Sequence, residues 1–148
     1  MYEIDETGEE FENELKHVIE KQPYEIDAYS LLSEFYTDKG EYWLAHLYCD
    51  RGMQIMKTIA LQERKGLIYL EQENYQSAFQ QFSKIKEEDP EHPEINLLIG
   101  DTHFAEFNLA EAKESYQKQI DLQEDDDEAH IKLGNVLAKE EEFDLAID

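Results

Sequence analysis

The sequence predicts an all-α fold of repeated antiparallel helix pairs, and three observations carry that prediction. Gly66, Gly100 and Gly134 recur at intervals of 34 residues. Ala45, Ala78, Ala112 and Ala146 step by 33, 34 and 34, and Tyr42, Tyr75, Leu109 and Phe143 keep the same steps three residues ahead. Between these columns apolar residues fall three and four apart, the α period, and no segment alternates with period two. Columns held in one register mark a repeat chain.

Each element can be justified in turn. Phe11, Leu15 and Val18, opened by a Thr7–Glu10 capping box and closed by Pro23, predict a lone helix over 7–22. Residues 26–58 hold Leu32, Ser33 and Tyr36, then Tyr42, Ala45 and Cys49, two helices of a first pair. The stretch 53–61 has no Pro, Asp, Asn or Gly, so a tight turn or a continuous helix leads onward. The period resumes one residue short, which favours the tight turn. Residues 59–92 form the second pair, with a turn at Asn74 followed by Tyr75, Ala78, Phe79, Phe82 and Ile85. Pro90 and Pro93 stop that helix and open the next. Residues 93–126 repeat the plan, with a break at Asn108 and an acidic close over 124–128.

Residues 127–148 begin a fourth pair whose second helix opens at Phe143 and stops at once. That unfinished unit reads as the N-terminal part of a longer protein. Leu133, Leu137, Phe143 and Ile147 would then lack a covering helix, an apolar patch that invites self-association through the C-terminal repeat.

These columns resemble the tetratricopeptide repeat. That motif has a small residue and then an aromatic in the first helix, an aromatic and Ala opening the second, a large residue one turn on, and a closing Pro. The second unit fits best, with Gly66, Tyr69, Tyr75, Ala78, Phe82 and Pro90. The third has Gly100, His103, Leu109, Ala112 and Tyr116, with Glu124 in the proline position. The first puts Cys49 in the bulky slot and Lys57 in the proline position; the fourth has Gly134, Leu137, Phe143 and Ala146. The resemblance covers nearly the whole chain and makes residues 1–148 one domain. It implies a right-handed superhelix of antiparallel helix pairs, an α-solenoid. A Gly would sit where paired helices come closest, and an Ala would face it.

The family binds peptides on an inner wall built from its first helices. Carried onto this chain, that wall takes Leu31 and Glu34 from the first unit, and Glu63, Arg64, Leu67, Leu70 and Glu71 from the second. The third contributes Glu94, Leu97, Leu98, Asp101 and Phe104, and the fourth Ile131 and Asn135. An apolar stripe thus runs between carboxylates, though such leucines can equally pack between neighbouring first helices. Members that read chaperone tails carry a clamp of lysines, asparagines and arginine there. The matching positions here are Ser30, Glu34, Arg64, Leu97 and Asp101, so that clamp is absent.

Charge sets the remaining bounds. Thirty-seven acidic against thirteen basic residues give net −24, which argues against nucleic acid and anionic membranes as partners. No apolar run is long enough to span a bilayer. A single cysteine suits a reducing compartment, and a cytoplasmic location is expected. His17, His46, His92, His103 and His130 show no metal-ligand spacing, and His103 fills an aromatic slot. The run 124–128 lacks the glycine and late Glu of a calcium loop. No nucleophile elbow or phosphate loop is present. The expectation is a non-enzymatic interaction module without metal or cofactor, binding a partly apolar, basic protein segment in its groove. The alternative is a regulatory or oligomerising arm of a larger protein whose own chain fills that groove.

Overall fold

The computed structural model describes residues 6–147, of which Glu6 is described in backbone only. Eight helices and no strand occur among the described residues: α1 (Glu6–Lys21), α2 (Ile26–Asp38), α3 (Tyr42–Ile55), α4 (Ile59–Glu71), α5 (Tyr75–Glu88), α6 (Ile95–Ala105), α7 (Leu109–Leu122) and α8 (Asp127–Ile147). They form two compact units, the first ending at Gln72 and the second beginning at Glu73. The division falls in the turn within residues 59–92, between α4 and α5.

In the first unit, Leu32 and Tyr36 of α2 meet Ala45 and Cys49 of α3 and Leu61 and Ile68 of α4. Leu15 and Ile19 of α1 cover this core. The Tyr36 hydroxyl donates to Glu12, which also takes Lys16, so α1 is fixed to α2 by charge as well as by packing. Thr7 is already helical, so it stands in the first turn of α1 rather than at its cap. Three residues join α3 to α4. Met56 is extended there, and the Thr58 side chain accepts from Leu61 N at 3.2 Å, a helix cap. Gly52 makes this turn possible, since a Cβ would stand 3.1 Å from Leu61 Cδ1 and 3.2 Å from Tyr29 Cβ.

In the second unit, Leu97 joins Ala112, Tyr116, Ile120, Ala129 and Val136 in the core. Asp126 caps α8, accepting from Ala129 N at 3.0 Å, and that bond holds its carboxyl below the usual range.

The turns inside successive pairs share one backbone device. Gly40, Glu73 and Phe107 all take the left-handed conformation, with φ of 73°, 60° and 62°. Asn74 and Asn108 follow as caps of α5 and α7. The equivalent point in the fourth unit is Glu141, and there α8 simply continues. The turn expected ahead of Phe143 is therefore absent. Lys139, Glu140, Glu141 and Glu142 are good helix formers and supply neither Gly nor Asn to break the ladder. Ion pairs Lys139–Glu142 and Lys113–Glu140 add to it. A Cβ at Gly134 would meet nothing within 4 Å. Close approach explains Gly100 but not Gly134.

Candidate functional site

The inner-wall positions fall on two faces, one in each unit. In the first unit, α2 brings Leu31 and Glu34 and α4 brings Arg64, Leu67 and Leu70. Leu31 is 43 % exposed; Leu67 and Leu70 are half-buried. Arg64 Nη2 donates to Glu34 Oε2 at 3.0 Å. Glu34 therefore already has a cation, and the pair ties α2 to α4. Glu63 is half-buried and engaged within the protein. Glu71 is exposed, while its carbonyl accepts from the Tyr42 hydroxyl at 3.1 Å.

In the second unit the corresponding face is concave. A cavity of about 350 Å3 is lined by Asp101 and Phe104 of α6, Tyr116 of α7, and Glu128, Ile131, Lys132 and Asn135 of α8. Phe104 and Asn135 also line an adjoining hollow of about 470 Å3 with Phe107 and Ala138. Ile131 is 64 % exposed, an unusual position for a branched aliphatic side chain.

The polar wall is tightly organised. Lys132 Nζ donates to both oxygens of Asp101, at 2.8 and 2.7 Å, and reaches Glu128 at 3.3 Å. The Tyr116 hydroxyl donates to Asp101 Oδ1 at 2.7 Å. Burial and the neighbouring Asp101 push the phenol far above its ordinary range. For Lys132, burial works against the charge, but Asp101 and Glu128 outweigh it and hold the ammonium above its usual value. At neutral pH the wall presents a neutral phenol and a charge pair already closed on itself.

Three positions on the inferred wall need correction. Leu97 is 5 % exposed and belongs to the core, packed with Ala112 and Tyr116 rather than open to a ligand. Glu34 and Asp101 are not open rim charges, because Arg64 and Lys132 neutralise them. Glu94 is exposed at the start of α6 in a left-handed conformation (φ 66°), with no side-chain cap bond. Leu98 is half-buried. Tyr116 escaped the sequence reading as a site residue because it fills a core slot. Its one legible signal was a hydroxyl at a buried position, which needs a partner.

Comparison with known proteins bears on this geometry. Residues 93–126, which carry α6 and α7, match the family model of the tetratricopeptide repeat. Residues 93–126 are a tetratricopeptide repeat. Several solved tetratricopeptide structures share its fold. A structure of Pseudomonas aeruginosa pilF is similar at TM-score 0.76 and 21 % identity, over 93 % of this chain and 63 % of that one. The chain thus spans less than two thirds of the pilF structure. TTC0263, a thermophilic protein of this family from Thermus thermophilus, is similar at TM-score 0.77 and 18 % identity, over 86 % of this chain and 71 % of that one. The second domain of human RPAP3, solved in complex with the HSP70 peptide SGPTIEEVD, is similar at TM-score 0.61 and 16 % identity, over 75 % of this chain and 97 % of that one. At these identities the likeness is one of fold. No curated protein matches the chain. Among the described residues no helix is long and apolar enough to cross a membrane.

Proposed function

We propose that this tetratricopeptide-repeat chain is a non-enzymatic interaction module that binds a partly apolar, basic protein segment on its first helices. The observation that supports this reading best is the α6–α8 cavity, with Phe104 and Ile131 offering apolar surface beside Asn135. Its volume of about 350 Å3 is of the size that holds one or two side chains. The basic preference rests on the field of the whole chain at net −24 and on exposed carboxylates such as Glu71 and Glu94, rather than on Glu34 or Asp101. An acidic tail of the SGPTIEEVD type does not suit a wall whose lysine is already spent on two carboxylates. In this reading the module works in the cytoplasm, where a single reduced cysteine is at home.

A displayed library of random peptides selected on the purified chain tests the proposal. Recovered peptides should be enriched in Lys or Arg around a branched or aromatic residue. Ile131→Glu, which changes an exposed side chain, should abolish their binding, whereas Glu71→Gln should weaken it only at low ionic strength. Recovery of acidic peptides, or unchanged binding by Ile131→Glu, would refute it.

A further inference from the structure

A notch of about 270 Å3 lies between the α5–α6 connection and the end of α7, within the second unit. Glu91, His92 and Pro93 line it from the connection, and Gln119, Leu122 and Gln123 from α7 and its end. Gln119 alone among them is buried, at 1 % exposure, and so forms the floor. The repeat register makes that burial unusual. Gly52, Ile85 and Gln119 stand at one point of α3, α5 and α7, 33 and 34 residues apart, and all three are buried. An amide thus fills a slot that is apolar in the preceding pair.

Gln119 Nε2 donates to Gln123 Oε1 at 3.2 Å and to Asp126 Oδ2 at 3.0 Å. The amide cannot turn over, because its oxygen would then face the Asp126 carboxylate. Oε1 is left without a hydrogen-bond partner among the described residues, and a buried acceptor without a donor is costly to keep. The rest of the notch supplies no Lys or Arg. Glu91 is exposed, and His92 Nδ1 lies 3.7 Å from Asp89 Oδ2. Among the described residues no three His, Cys, Asp or Glu side chains gather to hold a metal, so the fitting cation is organic. Pro93 and the half-exposed Leu122 give the notch an apolar rim. A recessed acceptor below such a rim selects a narrow cationic head on a methylene stem, the shape of lysine rather than of the broad, planar arginine.

We propose that this notch takes a lysine side chain of a partner protein, its ammonium donating to Gln119 Oε1 and Glu91 and its stem lying on Pro93 and Leu122. The site is independent of the α6–α8 face and stands or falls separately.

N-acetyl-lysinamide reproduces that chemistry, and N-acetylnorleucinamide keeps the four-carbon stem without the ammonium. Titrated into the 15N-labelled chain at about 0.15 M salt, the lysine compound should shift the backbone amides of Glu91, Leu122 and Gln123 and the side-chain amide of Gln119. The dissociation constant should be on the order of a millimolar. The norleucine compound should bind roughly tenfold more weakly. Gln119→Leu, which restores an apolar residue to the slot, should lose a similar factor, and Glu91→Gln a smaller one. Equal shifts from the two compounds would overturn the proposal, as would unchanged affinity in Gln119→Leu. Shifts scattered over the acidic surface without saturation at Gln119 would overturn it too, since net −24 would then be attracting any cation. The lysine–norleucine comparison on the native chain decides the matter even if the variant folds poorly.

Discussion

The Tyr116 ring occupies the space that a side chain at Gly100 would need: a Cβ there would stand 2.5 Å from its Cε1. α6 and α7 approach so closely only because position 100 has no side chain. Gly100→Ala should therefore destabilise the chain by about 1–3 kcal/mol, the usual cost of overpacking. Gly134→Ala, in open surroundings within α8, should instead stabilise it by roughly 0.5–1 kcal/mol through helix propensity. Urea midpoints of the two variants should move in opposite directions.

Lys132 and Asp101 make the second prediction. Lys132→Met keeps the apolar stem but leaves the Asp101 carboxylate with the Tyr116 hydroxyl in place of a full positive charge. A loss of about 1 kcal/mol is expected, modest because both groups are partly solvated. The freed carboxylate should also tighten binding of a basic peptide, a change visible in the same peptide titrations. Weaker binding would mean that Lys132 itself touches the ligand.

Cys49 is fully buried and donates to the Leu61 carbonyl at 3.3 Å. Burial pushes its thiol up to about 11 from 9.0. The neutral form is favoured in the fold, so its contribution to stability is complete below pH 9 and is lost as pH rises towards about 11. A maleimide at about pH 7.5 should label Cys49 only as fast as the first unit opens. Fast labelling of the native chain would contradict this burial.

The end of α8 carries Phe143, Leu145 and Ile147 in exposed positions, Ile147 at 84 %. Sedimentation should show concentration-dependent association of the 148-residue chain, abolished by Phe143→Glu with Ile147→Glu. A double variant that associates as strongly as the parent would place the contact elsewhere.

Much of the fold was legible because a repeat writes its packing into spacing. The Gly–Ala–aromatic columns located the helix pairs, and Asn74 and Asn108 announced the turns before α5 and α7. Gly52 was missed because it stands in no column: its role comes from Tyr29 and Leu61, which only the bend after α3 brings to it. Spacing fixes which residues share a face of one helix. Which neighbour covers that face is settled by the other helices.

Local period and composition were enough to dictate the all-α class, the order of helix pairs and the acidic character of the surface. The packing of helices against one another was needed to turn Leu97 into the core while Ile131 stays in water. Packing also closed Arg64 and Lys132 upon Glu34 and Asp101, about thirty residues away in the chain, and let α8 run past the place for a turn. The reason is common to all three. Burial and ion pairing depend on distances between helices, and the periodicity of one helix does not contain them.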